Sequence, residues 1–343
     1  MDIVIIGAGG IGGFVGGMLS RGGHEVTLVD QWYEHICEIQ KNGLKIKTQS
    51  EKLLVKPRAL HISELQQECR VFDAAFIAVK SYDTEWATML IKNYIEKEEG
   101  FFVDFQNGIN DERVASIVGA EKALGCVVSI GAACYEPGEV IRTDDYPLGF
   151  KIGEHDGSKS ERATRIVEML NYIADSKVTT DLWGDRWSKL MLNCMTNALA
   201  GLTGYSTSEV RTIAAARRVG IQLGAEVARV AMALGHKLQP ISGVDPEEVI
   251  NAAEGKNIEV LEQAMLEAAR RAGTDARPSF GQDVLKKRRT EIEFLNGYVS
   301  QKGREVNVPT PFNDTIVKIV LGLGIGFSAD PANIDELIGM LPY

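Results

Sequence analysis

The sequence predicts a two-domain α/β protein in which a doubly wound parallel sheet is followed by an all-α domain. The first half alternates continuously apolar segments with helical segments, which is the pattern of parallel strands buried on both faces. The second half carries apolar residues three and four positions apart, as amphipathic helices do, without strand signals of comparable strength. A chain of 343 residues also suits two domains better than one. We therefore expect domains over residues 1–180 and 181–343.

The expected elements follow in chain order. Apolar segments predict strands over residues 2–6, 25–29, 74–79, 100–105 and 124–128, and weaker segments predict strands over 139–142, 148–152 and near Val178. A helix is expected over 158–175, and long helices are expected over 185–235, 246–272 and 277–302. The apolar stretch 316–327 is short and broken by glycines, so we interpret it as the end of a buried helix.

The first strand runs directly into a glycine-rich turn. The six residues after Ile6 are Gly7, Ala8, Gly9, Gly10, Ile11 and Gly12, and a helix is expected from about Gly10. Gly7 would permit the tight turn, Gly9 would let the backbone approach a pyrophosphate, and Gly12 would let the helix pack closely on the sheet. The phosphates would lie at the positive end of this helix. The turn therefore predicts a Rossmann-type dinucleotide site, with a glycine-rich surface turn as the alternative.

Asp30 ends the second predicted strand, 18 residues after Gly12. An acid at this position accepts hydrogen bonds from the adenine ribose, and its charge repels a 2′-phosphate. The residues after it are Gln31, Trp32 and Tyr33, without the Arg or Lys that usually receives that phosphate. NAD(H) is therefore favoured over NADP(H) as the cofactor. The alternative is that Asp30 only starts a loop or caps the next helix.

Composition and charge argue against several classes of protein. Hydrophobic residues make up 45% and charged residues 24% of the chain, and the net charge of −10 disfavours nucleic acid or an anionic membrane as a partner. The five cysteines and five histidines show no metal-ligand spacing, and none of the histidines is expected to lie near the Lys189 helix. The first strand leaves no room for a signal peptide, and no apolar run reaches the roughly 20 residues of a membrane span. We expect a cytoplasmic protein without a metal site.

One predicted helix of the second domain carries a polar stripe. Lys189, Asn193 and Asn197 recur every four residues between apolar neighbours such as Leu190 and Ala198. The stripe could simply face solvent, but asparagine is a poor helix former that solvated faces usually avoid. In a partly dry cleft between the domains, Lys189 could protonate a carbonyl oxygen while hydride arrives at the carbon. The two amides could then orient the substrate.

Further polar residues follow predicted strands or accompany predicted helices. Lys80 and Asn107 come directly after two strands, at the sheet edge where open α/β sheets bind ligands, although Asn-Gly is also a common turn pair. Ser279 could cap a helix. Glu291 could pair on the surface with Lys287, four residues earlier, and taken alone this structural interpretation is the favoured one.

Together these motifs resemble the ketopantoate reductases (2-dehydropantoate 2-reductases) over nearly the whole chain. The order and spacing match in the glycine turn, Val79-Lys80, Gln106-Asn107-Gly108, Gly131-Ala132, Pro137-Gly138-Glu139-Val140, the Lys189 helix, 279–297 and Val308-Pro309-Thr310-Pro311. The resemblance implies reduction of a 2-oxo acid to a 2-hydroxy acid, with ketopantoate giving pantoate as the best single choice. Small-molecule substrates of this class and a homodimer are the partners that it implies.

The resemblance also implies roles for single residues. Lys189 would be the proton donor, and Glu291 would bind the substrate hydroxyl or help to hold the cofactor and the lysine. The residues expected to contact the substrate are Asn107, Asn193, Asn197 and Ser279. The cofactor would be contacted by Gly7, Ala8, Gly9, Gly10, Ile11, Gly12, Asp30, Lys80, Asn107, Ala132 and Glu291. Asp283 also matches the family and is interpreted as structural.

The chain departs from the family pattern at several positions. Asp30 stands where a basic residue commonly receives NADPH, Ile130 replaces a frequent histidine, and 206–208 reads Ser-Thr-Ser where a substrate-contacting asparagine often occurs. The stretch 240–277 is longer than usual and is expected near the cleft. One alternative is therefore an NAD-dependent dehydrogenase that oxidises another 2- or 3-hydroxy acid. A second enzymatic alternative is a β-hydroxyacid dehydrogenase, which also pairs a nucleotide domain with a helical domain and uses a lysine with an asparagine four residues later. A third alternative, from a different class, is a dinucleotide-sensing protein without catalysis.

Overall fold

The structure, a computed structural model, describes residues 1–144, 148–241, 243–271 and 277–342. The chain divides into two compact units, Met1–Leu182 and Trp183–Tyr343, and the predicted boundary at residue 180 lies close to this division. Unit 1 is built on a largely parallel sheet with helices, and the described elements of unit 2 are helices. The predicted fold class, a doubly wound sheet followed by a helical domain, is confirmed.

The described strands lie in unit 1, and the helices are distributed over both units. The strands are β1 (Asp2–Ile6), β2 (Glu25–Asp30), β3 (Leu44–Lys47), β4 (Lys52–Val55), β5 (Arg58–His61), β6 (Ala74–Ile77), β7 (Phe101–Asp104), β8 (Ala123–Val128), β9 (Ala132–Ala133), β10 (Glu139–Arg142), β11 (Leu148–Glu154) and β12 (Asp175–Val178). The first five helices are α1 (Gly10–Arg21), α2 (Tyr33–Asn42), α3 (Thr84–Ile91), α4 (Asp111–Val118) and α5 (Glu161–Leu170). The others are α6 (Leu182–Thr203), α7 (Thr207–Thr212), α8 (Ala214–Ala233), α9 (Pro246–Ala253), α10 (Ile258–Arg271), α11 (Ser279–Leu285), α12 (Asn296–Glu305), α13 (Pro311–Leu323) and α14 (Asp335–Gly339).

The main sheet of unit 1 has eight strands in the order β12-β11-β8-β7-β6-β1-β2-β5. Neighbouring strands are parallel except β8 and β11, which are antiparallel. Strand β1 lies between β2 and β6, so the chain adds strands first on one side of β1 and then on the other. Open α/β sheets bind ligands where the strand order reverses in this way. The carboxyl end of β1 is therefore the expected ligand edge.

Alternate residues of β1 belong to two different hydrophobic cores. Ile3 and Ile5 pack in the core that includes Phe14 of α1, whereas Val4 and Ile6 pack in the core that includes α3. Both faces of the strand are thus covered. This burial explains why a continuous apolar pattern, rather than an alternating one, predicts the strands of the main sheet.

The sequence did not predict a second sheet, which has four strands in the order β4-β3-β10-β9. Strands β3 and β4 form an antiparallel hairpin, and the segment predicted over 139–142 becomes β10 of this sheet. In β3, Lys45 and Lys47 alternate with Leu44 and Ile46, of which the apolar pair is buried. Such short, half-charged strands lack the long apolar runs that identify the main sheet.

Helix α1 packs against residues of both sheets. A Cβ atom at Gly16 would lie 2.5 Å from Leu28 of the main sheet, and one at Gly17 would lie 2.8 Å from Ile46 of the second sheet. These distances are too short for a real Cβ, so glycine is what allows the close contact. The helix is held in this position at the end of β1.

Several predicted helices differ from the structure. The helix expected over 158–175 ends at Leu170, and β12 begins soon afterwards. The helix expected over 277–302 is interrupted between α11 and α12, where Lys287 adopts a positive φ of 54°. The stretch 316–327 is only partly a buried helix end, because Leu321 and Ile325 are exposed. Among the described residues, no helix has both the length and the hydropathy needed to cross a bilayer.

Candidate functional site

Gly7 forms the sharp turn at the carboxyl end of β1. Its φ of +100° lies in the left-handed region that favours glycine. Its N–H donates to the carbonyl of Val29 on β2 at 2.8 Å. A Cβ atom at this position would lie 2.7 Å from the carbonyl carbon of Ala78. Both the backbone conformation and the available space therefore require glycine here.

Gly9 and Gly12 have different surroundings. A Cβ atom at Gly12 would lie 1.9 Å from the carbonyl oxygen of Gly7, so its absence lets α1 begin directly against the turn. A Cβ atom at Gly9, by contrast, would meet no other atom within 4 Å. Gly9 is also the N-cap of α1, and no side chain caps this end of the helix. Open space at an uncapped helix N-terminus fits a phosphate group.

Ala132 lies next to the same glycine turn. It belongs to β9, and a Cβ atom at Gly10 would lie 2.7 Å from its carbonyl oxygen. Ile11 is half-buried against the core of unit 1. The structure thus brings Ala132 together with the turn through the second sheet, which the sequence alone did not predict.

Asp30 touches the glycine turn through its carboxylate. Oδ2 accepts a hydrogen bond from the N–H of Ala8 at 2.6 Å, and Oδ1 accepts one from the N–H of Trp32 at 2.8 Å. Asp30 therefore stabilises the loop that follows it, which is the structural role considered as the alternative. Its carboxylate nevertheless lies at the glycine turn. Gln31 and Trp32 follow it without a cationic side chain.

Lys80 and Asn107 lie in neighbouring loops, because β6 and β7 are adjacent and parallel. Hydrogen bonds join the two loops: Ser81 Oγ donates to the carbonyl of Asn107 at 3.3 Å, and Gln106 Nε2 donates to the carbonyl of Val79 at 2.8 Å. Lys80 and Asn107 are both half-buried. Within the described chain, the side-chain amide of Asn107 has no hydrogen-bond partner. The turn interpretation of Asn107 and a ligand contact are therefore compatible.

The sequence did not identify Asn110, which connects these two loops. It is almost fully buried, and its Nδ2 donates to Ser81 Oγ at 3.2 Å and to the carbonyl of Asn107 at 3.0 Å. Its Oδ1 accepts from Arg113 at 2.9 Å. No local pattern could have identified this role, because the partners come from two loops that only the folded sheet brings together.

In unit 2, the polar stripe of Lys189, Asn193 and Asn197 lies on α6. Asn193 and Asn197 are each only 6% exposed, and Lys189 is half-buried, so the stripe is not a solvated face. Oδ1 of Asn197 accepts from Thr196 at 3.4 Å. Nδ2 of Asn193 is buried and has no hydrogen-bond partner among the described residues. An unpaired buried donor is expensive, and a ligand oxygen would satisfy it.

Ser279 and Glu291 do not have the structural roles proposed as their alternatives. Ser279 is the first residue of α11, whose N-cap is Pro278, and its side chain makes no capping hydrogen bond. Glu291 is only 5% exposed and therefore is not a surface acid paired with Lys287. Asp283 is buried on α11, as expected for a structural residue.

The segment that carries Ser279 and Glu291 runs beside α6. Near one end, Phe280 lies so close to Gly201 that a Cβ there would meet its ring at 2.3 Å. Near the other end, the rings of Tyr298 and Trp187 are 5.7 Å apart. The segment is thus antiparallel to the helix that bears the polar stripe. This topology places the unit 2 candidates along one helix.

Two departures from the family pattern have structural explanations. Ser206 caps α7, where its hydroxyl and the Glu209 carboxylate form a reciprocal capping box. Ile130 is buried in the core of unit 1. The long stretch 240–277 forms α9 and α10 in its described part, and Glu262 of α10 pairs with Arg217 and Arg218 of α8.

One expectation about the histidines was wrong. His236 is distant from α6 in the sequence, yet its ring stacks near Trp183 and Trp187 of that helix, at 6.2 and 6.1 Å. The loop after α8 returns to the start of α6, where Gln239 N–H donates to Ser188 Oγ at 2.8 Å. In the part of the chain that is described, no cluster of three or more His, Cys, Asp or Glu side chains could hold a metal ion.

Comparison with known protein families gives two matches that together span most of the chain. Residues 3–157 match the family described as ketopantoate reductase PanE/ApbA, and residues 181–323 match its C-terminal domain. A 2-dehydropantoate 2-reductase of Archaeoglobus fulgidus is 27% identical over 330 residues, covering 94% of this chain and 98% of that protein. One of Pyrococcus horikoshii is 26% identical over 316 residues, covering 91% and 94%.

A solved structure shares the fold over nearly its whole length. A ternary complex of D-mandelate dehydrogenase with NADH and anilino(oxo)acetate has a TM-score of 0.79 and 24% identity, covering 98% of this chain and 99% of that one. At this identity the likeness concerns the fold. The first family match includes the glycine turn, and the second includes the polar stripe of α6.

Proposed function

Because the chain belongs to the ketopantoate reductase PanE/ApbA family, we propose that it reduces a 2-oxo acid to the corresponding 2-hydroxy acid with NADH. As a member of this family, it is an NAD(P)-dependent oxidoreductase that acts on CH–OH groups. The two relatives described above are named 2-dehydropantoate 2-reductases, so 2-dehydropantoate is our first candidate substrate and pantoate the expected product. The observation that carries the proposal is the buried amide nitrogen of Asn193, which has no hydrogen-bond partner among the described residues and lies one helical turn from Lys189.

We assign the dinucleotide to the glycine turn of unit 1. Gly9 leaves open space at the uncapped start of α1, where the backbone N–H groups of the first helical turn favour an anionic pyrophosphate. Lys80 and Asn107 follow the adjacent strands β6 and β7, and Ala132 lies against Gly10. These residues are our candidates for the rest of the cofactor contacts.

Asp30 supports a preference for NADH over NADPH. Its carboxylate lies at the turn through its contact with Ala8, and no cation occurs in the next three residues. A negative charge would attract the ribose hydroxyls as an acceptor and repel a 2′-phosphate.

Lys189 is our candidate for the proton donor. When bound, the nicotinamide supplies the hydride that adds to C2 of the oxo acid. The C2–O double bond then becomes a single bond, and Lys189 Nζ gives a proton to the oxygen, so that a hydroxyl group results. Asn193 and Asn197 would orient the substrate through amide hydrogen bonds without adding charge. Ser279 would bind near the carboxylate, and Glu291 would hold the substrate hydroxyl, the lysine or the cofactor.

Oxidation of another 2- or 3-hydroxy acid is the second candidate function. The observation that favours it is Asp30, which replaces the usual basic residue of an NADPH-dependent reductase. A preference for NAD over NADP would be compatible with a physiological direction in which a hydroxy acid is oxidised. The same residues would serve, with Lys189 accepting the proton.

An initial-rate matrix tests the proposal. NADH and NADPH are each combined with 2-dehydropantoate and several other 2-oxo acids, and NAD is combined with the matching hydroxy acids. Lys189→Ala is measured beside Lys318→Ala, an exposed lysine on α13, as the matched control. We expect Lys189→Ala to lower kcat by roughly 10²–10⁴-fold while the control retains its activity. Full activity in Lys189→Ala would contradict the proton-donor role, and dinucleotide binding without any turnover would favour a sensing protein.

The homodimer remains a prediction. Size-exclusion chromatography with light scattering tests it, since a chain of 37.5 kDa is easily distinguished from a particle of twice that mass. A monomer at micromolar concentration would contradict it.

A further inference from the structure

His35 is a buried residue of α2 that uses both ring nitrogens. Its Nε2 lies 3.0 Å from the carbonyl oxygen of Ala8, and its Nδ1 accepts a hydrogen bond from the N–H of Gly138 at 2.9 Å. A ring nitrogen that accepts from an N–H carries no proton itself. The proton of the neutral ring is therefore on Nε2, which donates it to Ala8.

The carbonyl of Ala8 lies in the glycine turn, immediately before Gly9. The hydrogen-bond pattern of α1 begins one residue later, with the bond from the N–H of Gly13 to the carbonyl of Gly9. Ala8 is fully buried, so its carbonyl needs a partner inside the protein. His35 supplies that partner. Since the N–H of Ala8 already donates to Asp30 at 2.6 Å, both polar backbone atoms of Ala8 are held.

The imidazole ring is itself held in place. Trp32 stacks on it with ring centroids 5.1 Å apart and planes 14° from parallel. Gly138, which donates to Nδ1, directly precedes β10 of the second sheet. The ring thus connects the glycine turn at the end of β1 with the chain entering the second sheet. A rotation of the ring would break both hydrogen bonds.

We propose that His35 is a positioning residue for the dinucleotide turn: it fixes the Ala8 carbonyl, and with it the orientation of the peptide that leads into Gly9. This inference rests on the proposed dinucleotide site. His35 would act only through the backbone of the turn and not through a direct contact with the cofactor. Burial lowers the pKa of His35, although the Asp30 carboxylate and the bond to Ala8 oppose the shift, so the ring stays in the neutral form that both bonds require.

Two amide substitutions separate the two hydrogen bonds. In His35→Gln the side-chain nitrogen lies at the distance of Nε2 and can still donate to Ala8, whereas in His35→Asn the amide oxygen lies near the position of Nδ1 and can still accept from Gly138. His35→Leu removes both bonds. NADH affinity is measured for each variant by fluorescence titration, with thermal unfolding and the KM for 2-dehydropantoate measured beside it.

We expect His35→Asn and His35→Leu to weaken NADH binding about five- to tenfold, as the loss of one hydrogen bond to the turn predicts. His35→Gln should stay within about threefold of the original protein, and the KM for the oxo acid should be unchanged at saturating NADH. Equal NADH affinity in all variants, or equal losses in His35→Gln and His35→Leu, would overturn the inference. A loss of thermal stability with unchanged NADH affinity would show a merely structural role. If the original protein does not bind NADH, the proposed function itself fails.

Discussion

The carboxylate of Glu226 on α8 holds the start of α13 through Asn313. It accepts from the backbone N–H of Asn313 at 2.9 Å, from its Nδ2 at 2.7 Å and from the N–H of Phe312 at 2.8 Å. Asn313 also accepts from Asn296 of α12 at 2.9 Å. Three helices of unit 2 are therefore joined by one buried acid and one buried amide.

The stability of the protein should depend on the ionisation of Glu226. Burial raises the pKa of Glu226 to about 7, although the three hydrogen bonds oppose this shift. The folded state then binds the proton more tightly than the unfolded state, so the contribution to stability is complete below about pH 4.5 and is lost as pH rises through 7. The effect amounts to about 3 kcal/mol. Urea unfolding between pH 4.5 and 8 measures it.

Glu226→Gln, which does not titrate, is the control for this prediction. The free energy of unfolding of the original protein should fall with pH relative to that of the variant, because all other groups titrate alike in both. Parallel curves would show that Glu226 does not change its ionisation in this range.

Gly9→Ala and Gly12→Ala should change different properties of the protein, the first its NADH affinity and the second its thermal stability. The new Cβ at position 9 enters open space, so the protein should keep its melting temperature but bind NADH at least about tenfold more weakly. The new Cβ at position 12 would lie 1.9 Å from the carbonyl oxygen of Gly7, so this variant should unfold at lower temperature. Calorimetry and NADH titration distinguish the two. Unchanged NADH affinity in Gly9→Ala would contradict our assignment of the pyrophosphate to the start of α1.

Asn193→Leu should reduce activity without reducing stability. The substitution keeps a similar volume and removes a buried amide nitrogen that has no partner among the described residues. The melting temperature should therefore stay the same or rise, while the KM for the oxo acid should rise about tenfold or more. Asn313→Leu is the matched control, because that buried amide is fully bonded and its loss should lower the melting temperature. A drop in stability of equal size in both variants would contradict a ligand-binding role for Asn193.

Asp30→Asn should weaken the discrimination against NADPH. The amide keeps an oxygen that can accept from the backbone but loses the charge that repels a 2′-phosphate. We expect the ratio of kcat/KM for NADH to that for NADPH to fall about tenfold, or about 1.4 kcal/mol. The same ratio in both proteins, or a preference for NADPH in the original protein, would refute the argument from Asp30.

The sequence predicted those parts of the molecule whose signals are local. The strands of the main sheet are buried on both faces, so β1 and β6 appear as continuous apolar runs. The glycine turn is recognisable because each glycine has a separate steric requirement. The stripe on α6 is recognisable because Asn193 and Asn197 are unusual residues for the middle of a helix.

The remaining features depend on tertiary contacts. Residues 286–291 include good helix formers, yet the helix is interrupted there, and Glu291 and Ile292 are buried. Asn110 and His35 each form hydrogen bonds with residues distant in the chain. Asn110 bonds to Ser81, and His35 bonds to Ala8 and Gly138. Their roles could not be predicted without the fold, since no spacing rule relates such partners.

The close packing of α1 against two sheets has a consequence for folding. Gly12, Gly13, Gly16 and Gly17 lie within this helix, and each glycine weakens an isolated helix by about 1 kcal/mol relative to alanine. The helix therefore cannot persist before Leu28 and Ile46 are in place on either side of it. Because the glycine turn takes its shape from the first turn of α1, the proposed dinucleotide site acquires its final form only after the strands of both sheets have assembled.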